Sequence, residues 1–205
     1  MSNQMSDEKP DEKKVKLWDF PVRLFHWSLV AAIVTAWWTN RELMIDIHAI
    51  AGYTVLALVL FRIIWGFVGS SNARFASFIK GPKKVIGYAL RIPRGSMADL
   101  TYAGHNPAGG WMVVVLIALV AVQAISGLFT SEDTFLFFDG PLVAYVSSDV
   151  ASTMNFIHHT NINLIYAAVA LHVLAAIFYL MIKRENLIGA MITGMRKVPE
   201  SVATS

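Results

Sequence analysis

Residues 158–182 read HHTNINLIYAAVALHVLAAIFYLMI. The stretch is long and apolar enough to cross a bilayer, because a helix of about 20 residues spans the hydrocarbon. His158 and His172 lie fourteen residues apart within it. At about 3.6 residues per turn that is nearly four whole turns, so both imidazoles project from one helix face, ~21 Å apart along the axis. This is too far for one shared metal ion. It suits one ligand for each of two stacked cofactors, one near each membrane surface.

The composition points the same way. Of 205 residues, 56% are hydrophobic and 15% charged, with a mean hydropathy of +0.53. A soluble domain of this size could not hide so much apolar surface. Cysteine is absent, which excludes disulfides, thiolate metal sites and c-type haem attachment. Three other apolar runs, residues 22–39, 47–68 and 111–130, precede a fourth helix expected over 157–182. The first starts late for a signal peptide, contains Arg23, His26 and three tryptophans, and lacks a small-residue cleavage site. It reads as a retained transmembrane helix. The expected fold is all-α, an integral membrane four-helix bundle over 17–197. A disordered polar tail is expected over 1–16, a long loop over 69–110 and a C-terminal tail over 198–205.

Charge orients the bundle. Of the 17 Lys and Arg, Arg41 alone falls in the segments joining runs one to two and three to four, and Arg62 lies inside run two. The others gather before or at the very start of run one (Arg23), in the 69–110 loop and after run four. The positive-inside rule therefore places both termini and the long loop in the cytoplasm. A bacterial inner membrane is the expected location. Within the loop, Phe75, Phe78, Ile79, Val85, Ile86 and Leu90 mix with lysines, as in a short amphipathic helix lying on membrane lipid. Asn106-Pro107 reads as an N-cap followed by the first helical residue of run three. The outer segment 131–155 holds Glu132, Asp133, Asp139 and Asp149 and no base. It also carries the apolar Phe135–Phe138. A soluble periplasmic partner with a basic face is expected to dock there. No nucleic-acid partner is expected.

The histidines carry the chemistry. His26 follows Lys16 by ten residues, and His172 precedes Lys183 by eleven on a helix running the other way. His48 and His158 stand at the outer starts of runs two and four. The four sort into an inner layer, His26 with His172, and an outer layer, His48 with His158. Two imidazoles on facing helices can clamp the iron of a flat macrocycle from both sides. With no position left for oxygen, such a haem carries electrons and little else. One intramembrane histidine alone can equally be an interhelical hydrogen bond or a proton relay. A zinc or copper carrier would instead gather carboxylates or thiolates at one point, and the apolar runs contain no Asp, Glu or Cys.

Other residues fit the same picture. Arg62, fourteen residues after His48, shares its helix face ~21 Å deeper, in the inner layer. A buried arginine needs an anion, and a haem propionate supplies one; snorkelling to the inner headgroups is the alternative. Arg23 is a second candidate, nearer the surface. Gly52, one turn after His48, lets a flat ring approach the backbone, or else tight helix packing. His159 points ~100° away from His158 and reads as a non-ligand, although the doublet leaves the two roles exchangeable. His105 reads as a solvated loop residue, with a quinone-site donor as the alternative.

The stretches KLWDFPVRLFHW, IHAIAGYTVLALVLFRIIWGFVGS, GHNPAGGWMVVVLIALVAVQAISGLF and LHVLAAIFYLMIKRENLIGAMITG resemble the bacterial cytochrome b-561 family. That family includes the b-type cytochrome subunits of nickel–iron hydrogenases. The likeness covers about residues 16–197. It implies a four-helix membrane bundle with two b haems, whose iron ligands would be His26, His48, His158 and His172. The family often has an acidic residue where this chain has His159. The expected function is a dihaem membrane cytochrome of a respiratory chain. It would pass electrons between the quinone pool and a redox partner, in the favoured direction from quinol to a periplasmic acceptor such as a c-type cytochrome. One alternative is the membrane anchor of a hydrogenase or dehydrogenase complex. Another is a cofactor-free transporter or structural subunit. No soluble catalytic domain is visible, so the chain reads as an electron-transfer module.

Overall fold

The computed structural model describes residues 12–90, 106–132 and 138–199. Among them are seven helices: α1 (Phe20–Arg41), α2 (Ile45–Val68), α3 (Phe75–Phe78), α4 (Pro82–Ala89), α5 (Pro107–Gly127), α6 (Ser148–Met181) and α7 (Leu187–Thr193). Two short antiparallel ribbons join them, β1 (Glu12–Lys16) with β4 (Met195–Pro199) and β2 (Ser131–Glu132) with β3 (Phe138–Asp139). The fold is all-α in substance. Helices α1, α2, α5 and α6 are each long and apolar enough to cross a membrane. Large apolar side chains such as Val34, Leu60, Ile64, Phe67, Leu171 and Leu174 are exposed on them, which only lipid tolerates over so much surface.

Local chemistry sets the helix starts. Asp19 caps α1 by accepting from Val22 N–H at 2.8 Å, with proline in the first turn. Asn106 caps α5 by accepting from Gly109 N–H at 2.7 Å, and Pro107 follows. A side-chain oxygen at this position satisfies one of the donors a helix start leaves free. Helix α6 begins at Ser148, ahead of the expected 157, and runs for 34 residues. At 1.5 Å per residue it is ~51 Å long, well beyond a ~30 Å hydrocarbon core, so its polar first turns stand outside the lipid.

The four spans pack in sequence, α1 along α2, α2 along α5 and α5 along α6, while α6 has no comparable backbone packing on α1 or α2. An apolar centre of Ala32, Val55, Val59, Val120 and Ile165 draws on all four. Ile165 lies midway between His158 and His172 on α6.

The basic end is closed by a hub of Leu17, Trp18, Val22, Ala73 and Ala190. Gly194 ends α7 with φ 80°. Its carbonyl accepts from Leu17 N–H at 2.8 Å and Trp18 N–H at 3.2 Å. A Cβ there would stand 2.8 Å from the Trp18 carbonyl oxygen. From this hub β1 and β4 pair from Lys16↔Met195 to Glu12↔Pro199. The expected tails are therefore shorter than the reading over 1–16 and 198–205: residues 12–16 and 198–199 are strand. The partner of each strand lies some 180 positions away, and cross-strand pairing supplies the order that local composition does not. The ribbon also puts both described ends of the chain on one side. The amphipathic expectation in the loop corresponds to α3 and α4, with Lys83 and Lys84 exposed and Phe78 and Tyr88 buried.

Candidate functional site

Two histidine pairs face each other across the gap between α6 and the α1–α2 pair. His26 on α1 and His172 on α6 have ring centroids 6.4 Å apart at an interplanar angle of 50°. His48 on α2 and His158 on α6 have centroids 6.4 Å apart at 85°. The first pair lies toward the basic end, the second toward the acidic end, with the apolar centre between them. His159 is exposed, on the next position of α6. Its ring lies 5.9 Å from that of His158, so it is His158 that the fold brings to His48. His105 lies outside the described residues, as do Asp133 and Phe135–Phe137.

The separation can be tested against the geometry of a metal held between two imidazoles. A histidine nitrogen binds such a metal at ~2 Å. A five-membered ring with C–N bonds of ~1.33 Å has its centroid ~1.1 Å from that nitrogen. Two rings in line on one ion therefore stand ~6.3 Å apart, centroid to centroid. Both pairs fit. Among the described residues no group of three or more His, Cys, Asp or Glu converges as a conventional metal site would, so each pair needs its remaining ligands from elsewhere. A macrocycle supplies four.

Hydrogen bonds fix the outer rings. His48 Nδ1 lies 2.8 Å from the Ala36 carbonyl, and His158 Nδ1 lies 3.0 Å from the Gln123 carbonyl. A carbonyl oxygen only accepts, so both Nδ1 atoms carry the proton and donate. Both Nε2 atoms then keep the lone pair a metal needs. In the inner pair, His26 Nδ1 is buried without a protein partner.

The basic residues are placed as follows. Arg62 is 3% exposed, and its guanidinium lies over the Phe75 ring at 5.0 Å. Its Nη1 is buried with no hydrogen-bond partner, and the carboxylate close enough to feel its charge is Asp19. Arg23 donates through Nη1 to the Ile192 carbonyl at 2.6 Å, tying α1 to α7, while its Nε is buried and unpartnered. At Gly52 a Cβ would meet nothing within 4 Å. Tight helix packing therefore does not explain this glycine, and open space lies one turn from His48.

Sequence reasoning passed over a second set of residues. Asp19 also accepts from Trp65 Nε1 at 3.0 Å and from Ser70 Oγ at 2.5 Å, tying the start of α1 to the end of α2. Burial pushes its carboxyl up, but hydrogen bonds from Ser70, Val22 and Trp65 and the charge of Arg62 outweigh this and hold it below the ordinary value. Gln123 and Ser126 contact His158, and Asn161 donates to the Gln123 amide oxygen. The signal for two of them was present, since Gln123 and Asn161 are amides inside otherwise apolar runs.

Residues 17–194 match the family model described as prokaryotic cytochrome b561. A curated relative from Rhizobium leguminosarum bv. viciae, named "Probable Ni/Fe-hydrogenase B-type cytochrome subunit", is 22% identical over 218 residues, covering 91% of this chain and 90% of the relative. A protein of the same name from Bradyrhizobium diazoefficiens is 24% identical over 220 residues, covering 89% and 86%. No solved structure matches the chain.

Proposed function

The chain belongs to the prokaryotic cytochrome b561 family, and from that premise we propose a dihaem cytochrome linking the quinone pool to a periplasmic redox partner. It is a multi-pass b-type membrane cytochrome, and its work is electron transfer. In this reading it holds two haem b. His26 and His172 would ligate the inner one, and His48 and His158 the outer one. The single observation that carries the reading is the two pairs of facing imidazoles, each 6.4 Å between ring centroids, one pair toward each end of the bundle. Each haem, held by its two imidazoles, would supply one-electron carriage.

The protein's own residues do the rest. The Ala36 and Gln123 carbonyls hold the outer rings in one tautomer. Arg62 presents an unpaired donor suited to an inner propionate, and Arg23 is a second, more peripheral cation. Gly52 leaves room beside His48. The favoured direction is quinol to a periplasmic acceptor such as a c-type cytochrome, within a respiratory chain of a bacterial inner membrane. A second reading is favoured by the names of the two relatives: an electron conduit and membrane anchor of a hydrogenase.

Purified protein should hold two low-spin haems per chain. His26→Ala or His172→Ala should remove the inner haem, and His48→Ala or His158→Ala the outer one. One haem in the intact protein, or unchanged content in His172→Ala, overturns the assignment. The two readings separate by what copurifies from the membrane, a soluble haem protein or hydrogenase subunits.

A further inference from the structure

Inside a membrane span a polar side chain is retained only where it has a partner. Gln123 on α5 and His158 on α6 partner each other twice, in opposite senses. His158 Nδ1 donates to the Gln123 carbonyl at 3.0 Å. The Gln123 amide nitrogen donates back to the His158 carbonyl at 3.0 Å. Asn161, one turn further along α6 and 5% exposed, holds that amide in place. Its Nδ2 donates to Gln123 Oε1 and to the Leu119 carbonyl, both at 2.9 Å. Ser126, 2% exposed, stands 3.2 Å from His158 Nδ1 and donates to the Gln123 carbonyl at 3.1 Å. The ring rests against α5 at Gly127, where a Cβ would come within 3.0 Å of His158 Cε1.

We infer that Gln123, Ser126 and Asn161 are positioning residues: their side chains hold α6 in register on α5, so that His158 Nδ1–H meets the Gln123 backbone carbonyl and its Nε2 is aimed at His48. The inference rests on His158 being the outer haem ligand. The amide bridge sets the register of α6 on α5 at the ligand itself. The Nδ1–H bond then makes the imidazole a stronger electron donor, which favours the oxidised state of whatever metal it binds. Among the described residues His26 Nδ1 has no protein partner, so the double bridge seen at His158 is not repeated at His26.

Gln123→Leu in the full haem-loaded chain tests this. Two haems per chain should remain. The outer ferric signal in electron paramagnetic resonance should shift from the anisotropic form that near-perpendicular rings produce, and the outer midpoint potential should rise. The inner signal and potential should stay as in the parent. Asn161→Leu should give a shift of the same sign. The double variant should move no further than Gln123→Leu, because Asn161 acts through Gln123. An unchanged outer signal and potential in Gln123→Leu, with only thermal stability lowered, overturns the inference and leaves a helix-packing contact. Where Gln123→Leu fails to fold, Gly127→Ala presses a methyl on the same ring and is read the same way: a shifted outer signal supports the inference and an unchanged one overturns it. His158→Ala separates the two levels. If it keeps the outer haem, the ligand reading itself has failed, and the positioning role with it.

Discussion

Replacing Asp19 by alanine should loosen the basic end of the bundle and disturb the inner histidine pair more than the outer. Asp19 sits seven residues before His26 on the same helix, so it sets where α1 starts and how His26 is turned. Three bonds go with its carboxylate: the cap to Val22 N–H, and those from Trp65 Nε1 and Ser70 Oγ. A lost cap costs ~1 kcal/mol. Two hydrogen bonds to a charged acceptor, taken at the low end because the site is partly solvated, cost about 1 kcal/mol each. The expected loss is therefore about 3 kcal/mol in Asp19→Ala, followed as thermal unfolding in detergent by the haem absorbance. Asp19→Asn keeps the cap and should lose roughly half of that. The carboxylate is held below its ordinary value. Its contribution is therefore fully present above an unfolded-state pKa of ~3.9 and is lost as pH falls through the lower folded value. Asp19→Asn should accordingly show a flatter acid limb below about pH 4 and the parent's flat profile between about pH 5 and 7. Equal stability of Asp19→Ala and the parent, or equal disturbance of both haems, would refute this reasoning.

Arg62→Leu removes a buried cation from the inner layer. For a unit charge acting over an assumed ~10 Å at an effective dielectric of ~20, the interaction is ~1.7 kcal/mol, so the inner midpoint potential should fall by about 70 mV. The outer potential should hardly move, and equal inner potentials in redox titration would exclude the propionate pairing. Gly52→Leu should lower outer haem content without harming the helix, because a side chain there meets no protein atom nearby and leucine is the better helix former by about 1 kcal/mol. Full haem content in that variant would show that no ring approaches Gly52. Changing Glu132, Asp133, Asp139 and Asp149 to amides should slow electron transfer to a basic periplasmic partner at low salt and leave it near the parent rate at high salt. An unchanged low-salt rate would place docking elsewhere.

The parts of the fold legible in the sequence are those written in local pattern. Apolar runs and the Asn106-Pro107 start announce the spans, because lipid leaves a helix no other way to satisfy its backbone. The histidine layers were legible because 3.6-residue periodicity and charge topology together fix face and depth. What was hidden is what depends on distant pairing. Lys13, Lys14 and Lys16 look like a solvated tail until Met195–Pro199 arrives beside them. The first turns of α6 are polar, so an apolar-run criterion stops short of Ser148. The choice between His158 and His159 needs the rotation of α6 against α2. Gln123 declares itself as an amide in lipid, but not which backbone carbonyl it meets.

The cluster of Ala32, Val55, Val59, Val120 and Ile165 between the histidine layers has an electrical consequence. Its side chains carry no charge and no hydrogen-bonding group, so in a membrane the voltage would fall across this layer of the bundle. The ~21 Å between His158 and His172 is about two-thirds of a ~30 Å hydrocarbon core. One electron moved between the layers therefore crosses about two-thirds of the voltage, worth ~1.5 kcal/mol per 100 mV. With the inside negative, outward flow from quinol is driven by the membrane potential and partly discharges it. Inward flow, the direction of the hydrogenase reading, would climb the potential and charge the membrane, so the two proposed readings differ in whether electron flow spends the membrane potential or builds it.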